Sequence, residues 1–475
     1  MTTMFFQTTS EPKIDFSFEN GQLTLYGDIS SVCGNNSISG ISKAEPNKYY
    51  YFKLQMSVPS PMRAIGTCSV GIEYYVEEHF NDFAREHNQI ILSFPILDFF
   101  LANYLTSLTK NKNELIDCHE DEYQCRFEYH DLWLKFYSEL ENISDNYKPH
   151  YVGSGKLRVR AEQPFDSDFA FRVVERIRGL FSFIYSRKDI SIGKVKLISP
   201  HEYLRPKQIG HKNDIYDNET HTLSIVSTLY LQEPYNSSIA EIGSFDPFKD
   251  VCFCMLKDNI GQLISMAFED KIMFYDLTKA EKNAYDLKHA LWVNFCFERN
   301  FIEIAKRIND KIVISFMNNR DEIDSTNKKV CKLADLRNKL LYVFNPNKLI
   351  GKSDKGLNPK CGRNVVIREI NVQDNNANSL RWKGLESKLT PYCDVCGISF
   401  EELIGFYIDY RNAHAHGAKA YNLKLKNPLY IIYSIRLVEC INYCLILKMA
   451  GYSDEKIADI IDNFWSRQLP GLSEK

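Results

Sequence analysis

Apolar and polar residues alternate along most of the first 270 residues and then recur at helical spacing. This change of period points to a β-rich part followed by an α-helical one. In 13-KIDFSFENGQLTLYG-27 two alternating runs flank Asn20-Gly21, a pair suited to the left-handed backbone of a tight hairpin. Further strands are expected within 49–58, 67–76, 123–137, 155–163, 192–199 and 222–231. The stretch 168–188 breaks the rhythm: Phe169, Val173, Ile177 and Leu180 recur as on an amphipathic helix, with Arg172, Arg176 and Arg178 decorating its other faces.

Beyond about residue 278 the texture is helical. Thr278 and Glu281 form a capping-box pattern ahead of a helix expected to run to Asn309-Asp310. Helices are also expected over 331–343, 379–390, 399–416, 427–450 and 453–467, with 345–364 an exposed loop. A chain of 475 residues exceeds what one core supports. The expectation is a multidomain α+β protein: a β-rich region over 1–270, then an all-α bundle over 278–467.

The apolar stretches 90–105 and 429–451 are interrupted by Pro95, Asp98, Arg436, Glu439 and Lys448, which suits burial better than a membrane span. The opening MTTMFFQTTSEPK has no basic start followed by an apolar run, and thirteen cysteines is an odd number for a disulfide framework. Both favour a cytoplasmic protein with reduced thiols. A net charge of −3 leaves nucleic-acid contact to local basic patches.

The segment 407-YIDYRNAHAHG-417 carries the densest chemistry. Its plainest explanation is a helix end, with cations near the negative pole of the dipole and Gly417 as the stop. The same placement raises the proton affinity of His416 toward neutral pH, where an imidazole both takes and gives a proton. Arg411 adds a planar cation suited to phosphate, and Asn412 a neutral group able to orient a neighbour. A proton shuttle beside a phosphate clamp suffices for metal-free RNA cleavage, in which the 2′-hydroxyl attacks the adjacent phosphorus. On one continuous helix, positions 411 and 416 stand about 140° apart, whereas 411 and 414 share a face. Either the helix breaks between them, or two chains converge on one site, as across a two-fold axis.

Arginine, a polar residue, three intervening residues and histidine, within a C-terminal helical bundle, resembles the motif of HEPN-domain ribonucleases. With a β-rich region preceding it, the chain resembles the ApeA-type anti-phage HEPN proteins. The resemblance implies a homodimer whose paired motifs form one metal-independent endoribonuclease site needing no cofactor. Arg411 and His416 take the catalytic positions and Asn412 the polar one, while His414 has no assigned role. It also implies abortive infection, an RNA substrate such as tRNA, and a phage-derived trigger sensed by the N-terminal region, with no membrane involved.

Other chemistries compete for the same residues. His414-x-His416 after Asp409 has the look of a metal hydrolase, but such pairs sit on strand ends and the flanking sequence here is helical. Cys393 and Cys396 form one Cys-x-x-Cys pair, which would bind zinc if Cys361 and a histidine joined it. Two small buried thiols are the simpler account. Lys419, Lys424 and Lys426, with Tyr407, Tyr410 and Tyr421 to stack on bases, would suit RNA contact or an ordinary solvated face. The N-terminal region has no phosphate-binding glycine loop and no nucleophile elbow. A non-catalytic alternative is a ligand-binding scaffold that dimerises through its helices.

Overall fold

A computed structural model describes residues 3–59, 65–78, 86–101, 122–145, 148–186, 190–202, 215–217, 222–231, 251–269, 287–310, 313–314, 329–330, 336–344, 349–353, 367–370, 380, 383–395, 397, 399–416 and 428–465. The chain is multidomain α+β and divides into two compact units. One comprises Met1–Phe181 with Asp189–Pro247, the other Ser182–Lys188 with Phe248–Lys475.

The first unit begins with a closed antiparallel barrel. Strands β1 (Met4–Thr8), β2 (Asp15–Glu19), β3 (Gln22–Asp28), β4 (Ser37–Ser42), β5 (Tyr49–Leu54) and β6 (Ile65–Glu78) pair in the order β3-β2-β1-β4-β5-β6, and β6 returns to β3. The hairpin between β2 and β3 turns at Asn20 and Gly21, both with positive φ. Phe6, Phe16, Leu23, Phe52, Val70 and Ile72 fill the barrel, and Phe6 stacks on Phe16 at 5.2 Å.

Strand β6 then changes role. Leu54 pairs with Ile72 but Lys53 with Tyr74, leaving Glu73 as an extra residue, a β-bulge that reverses the facing of every side chain after it. Before the bulge Val70 and Ile72 point into the barrel; beyond it Tyr75 packs on the barrel core, and Tyr74 stacks on Phe171 of a helix at 4.8 Å.

The far half of β6 starts an open sheet in the order β6-β13-β11-β7-β10-β9-β8, built from β7 (His87–Leu92), β8 (Tyr123–Phe127), β9 (His130–Asp145), β10 (Lys148–Phe165), β11 (Lys194–Glu202) and β13 (Thr222–Leu231). A short β12 (Ile215–Asp217) pairs with β13. The expected run 123–137 is a hairpin rather than one strand, turning at Glu128 with positive φ. One face of this sheet, with Ile90, Leu134, Leu157, Val159, Leu197 and Leu229, is buried.

Helices α1 (Pro95–Phe100) and α2 (Ser167–Ile184) pack on that face through Phe100–Phe136 and Phe127–Phe169 ring contacts. Asp166 caps α2 by accepting from the Phe169 amide at 2.7 Å. Of the α2 arginines, Arg172 forms a two-pronged pair with Glu128, Arg176 lies over Phe127, and Arg178 is buried beside Glu175. Gly155 on β10 meets α1 so closely that a Cβ there would lie 2.6 Å from the Leu97 carbonyl oxygen.

The second unit holds α3 (Phe253–Leu256), α4 (Ile260–Phe268), α5 (Leu287–Arg307), α6 (Leu336–Phe344), α7 (Lys383–Val395), α8 (Phe400–His416), α9 (Pro428–Met449) and α10 (Asp454–Ile460). The stretch 251–269, expected in the β-rich part, is largely helical and belongs here. The proposed cap at Thr278 lies outside the described residues. The bundle is not all-α. A three-stranded antiparallel sheet, β14 (Lys329–Val330), β15 (Leu349–Ser353) and β16 (Ile367–Ile370), occupies part of the expected 345–364 loop. Pairing with β16, 15 residues further along, is what makes β15 a strand, and a local count of glycine and lysine does not register it. Tyr430–Met449 is apolar and long enough to cross a membrane, yet most of it is buried within the protein.

Candidate active site

Helix α8 carries the Arg411–His416 segment, and its start is locally encoded. The Ser399 hydroxyl accepts from the Glu402 amide at 3.3 Å, and the Glu402 carboxylate accepts from the Ser399 amide and hydroxyl at 2.8 and 2.9 Å. This reciprocal box satisfies amides that the first turn would otherwise leave bare. The same bonds hold the Glu402 carboxyl below its usual range, the Ser399 amide contributing most.

Phe400, Leu403, Ile404, Tyr407 and Tyr410 form the buried stripe of α8. Phe400 stacks on Phe344 of α6, and the Tyr407 hydroxyl donates to the Ala290 carbonyl of α5 at 2.8 Å. Base stacking by Tyr407 and Tyr410 is therefore ruled out as first expected: both rings are core residues, at the i, i+3 spacing that turns them into the bundle. Tyr421 and the lysines at 419, 424 and 426 lie outside the described residues.

Arg411 follows this stripe, half-buried, and its Nη1 donates to the Asn412 side-chain oxygen at 3.1 Å. Among the described residues it has no carboxylate partner. Two acids that act with it on Tyr407 are engaged with other partners. Glu298 of α5 takes Lys339 at 2.7 Å and Asn294 at 2.8 Å, and buried Glu439 of α9 takes Arg436 at 2.7 Å. All three charges act on the Tyr407 phenol. Burial pushes it well above its ordinary range, Arg411 opposes this, and Glu439 and Glu298 reinforce it.

A buried amide pair, Asn300 to Asn442 at 3.1 Å, ties α5 to α9 close to this layer. Asn294, Glu298 and Lys339 were not singled out from the sequence, and Glu439 only as a charge interrupting an apolar run. Their signal was polar residues within or beside otherwise apolar helical stripes, with Asn294 and Asn300 buried and Glu298 half-buried.

The backbone of α8 is helical from Phe400 to His416 without interruption. Positions 411 and 416 consequently stand about 140° apart around its axis, and 411 and 414 about 60° apart. The side chains of His414 and His416 lie outside the described residues. A break in the helix between Arg411 and His416, one of the two ways of uniting them, is excluded.

Cys393 is buried in α7, and its partner in the pair, Cys396, lies outside the described residues. Among the described residues no three His, Cys, Asp or Glu side chains gather as a metal site would need. No family model, curated protein or solved structure matches the chain.

Proposed function

We propose that the helical unit is a metal-independent endoribonuclease of the HEPN type, acting as a homodimer with one composite site. The observation that carries this reading is Arg411: a half-buried guanidinium on an unbroken helix, held by Asn412, with no carboxylate partner among the described residues. Such a cation suits a phosphate, which accepts two parallel hydrogen bonds from it. His416 is the general base toward the 2′-hydroxyl, and Arg411 stabilises the charge that builds on the phosphoryl oxygens. The uninterrupted helix keeps positions 411 and 416 of one chain on different faces, so the second chain supplies the missing group.

The wider role is an abortive-infection effector acting on RNA such as tRNA, with the N-terminal unit sensing a phage-derived trigger. It rests on the resemblance of the RNAHAHG motif.

The test incubates wild type, Arg411→Ala and His416→Ala with total RNA in EDTA and maps the ends formed. Cleavage by wild type alone, leaving cyclic phosphate ends, is the expected result. Cleavage surviving in either variant removes the site. Intact RNA with a strictly monomeric wild-type chain favours the ligand-binding scaffold instead.

A further inference from the structure

The face of the open sheet turned away from α1 and α2 carries cations and aromatic rings in register. Arg160 of β10 pairs across with Trp133 of β9 and with Gln89 of β7. Its guanidinium lies 5.4 Å from the centre of the Trp133 ring. Two residues along, a row of Lys135, Arg158, Ile91, Lys196 and Thr228 crosses β9, β10, β7, β11 and β13. In the next row Lys194 pairs with Tyr230, whose ring stacks on Tyr75 at 4.6 Å, while Lys156, opposite Tyr137, is buried and donates to the Ser93 hydroxyl at 3.1 Å. Rows on one face repeat at about 7 Å, and strands at about 4.8 Å.

The charge on this face is only partly cancelled among the described residues. Glu122 is shared by two guanidiniums, at 3.1 Å from Arg160 and 3.7 Å from Arg158. Glu77 is taken by Lys48 at 3.2 Å. Lys194 and Lys196 are exposed, and no carboxylate engages either among the described residues.

We propose that this open sheet face is a binding platform for single-stranded RNA, separate from the Arg411 segment. Cations spaced along a groove follow a phosphate backbone, while a flat ring between them accepts any base. Duplexes do not expose their bases to such a ring. Gln124, Gln89 and Thr228 on the same rows offer the neutral donors and acceptors that reach ribose hydroxyls. This site does not depend on whether the helical unit cleaves.

Binding is tested in a His416→Ala background, so that cleavage of the probe cannot enter, by fluorescence anisotropy with a labelled oligouridylate of about 12 nucleotides. Single-stranded DNA of matched sequence and duplex RNA serve as the other arms. Binding is expected to favour the single-stranded RNA. The Lys194→Gln/Lys196→Gln variant, at exposed side chains with no ion pair to another described residue, should flatten the slope of log affinity against log salt by about 1.4. Trp133→Ala should weaken binding about ten-fold and Trp133→Phe should restore it.

No anisotropy change at low salt, or binding indifferent to both the lysine pair and Trp133, overturns the proposal. So does equal affinity for the DNA or the duplex. RNA binding here by a strictly monomeric wild-type chain that leaves RNA intact would leave this inference standing and remove the ribonuclease reading. The reverse pattern would do the opposite.

Discussion

The Arg411 guanidinium donates to the side-chain oxygen of its neighbour Asn412 at 3.1 Å, and no carboxylate among the described residues competes for it. The amide orients the cation without neutralising it. Arg411→Ala is therefore expected to slow single-turnover RNA cleavage by about 10²–10³-fold. Arg411→Lys keeps the charge but loses the planar fork, and should recover only part of that loss. Asn412→Ala should cost less than Arg411→Ala, because the guanidinium survives with its direction less defined.

Tyr407 tests the scaffold beneath that cation. Its hydroxyl is fully buried and donates to the Ala290 carbonyl, joining α8 to α5. Tyr407→Phe leaves that carbonyl without the bond and should cost about 1–2 kcal/mol in a denaturant melt. A variant as stable as wild type would mean that α8 is held mainly by its apolar stripe.

Gly155 reports on the packing of the first unit. A Cβ there would press on the Leu97 backbone oxygen at 2.6 Å, and backbone gives way less readily than a side chain. Gly155→Ala should cost about 1–3 kcal/mol, seen as a lower Tm. The Asp98 carboxylate accepts from the Gly155 amide at 2.6 Å, so the strain falls on a contact that also holds α1 in place.

Acid should loosen the same unit through Asp168. Burial works to raise its carboxyl, but hydrogen bonds from Tyr74 and Lys53 outweigh it and hold the group below its ordinary value of 3.8. A group with a lowered folded-state pKa contributes stability above its unfolded pKa, lost as pH falls through the folded value. The Tm gap between wild type and Asp168→Asn should be widest near neutral pH and close below 3.8. A gap that stays constant with pH would assign the effect to packing.

Local chemistry made much of this fold legible. The Asn20-Gly21 turn, the helix over 399–416 and the stripe along α2 are each written within a few neighbouring residues. What stayed hidden depends on distant partners. Strand β15 exists because β16 pairs with it, and the barrel closes because β3 and β6, nearly forty residues apart, find each other.

For the candidate sites the same division holds. Arg411 and Asn412 could be picked out from sequence because they are adjacent. The acids that act with Arg411 on Tyr407, Glu298 and Glu439, come from α5 and α9, and no spacing rule links them to it. The sheet-face cations did leave a local trace, in Lys156-x-Arg158-x-Arg160 and Lys194-x-Lys196. That period-two pattern acquires meaning only when the strand order sets the runs near one another.

Strand β6 is a shared wall. Its early residues complete the ring with β3, and past Glu73 its later ones give β13 a neighbour. A cut within Ile65–Glu78 would strip hydrogen-bonding rows from both assemblies at once. Anyone trimming this protein should leave β6 whole, because a fragment that starts after it deprives β13 of that neighbour.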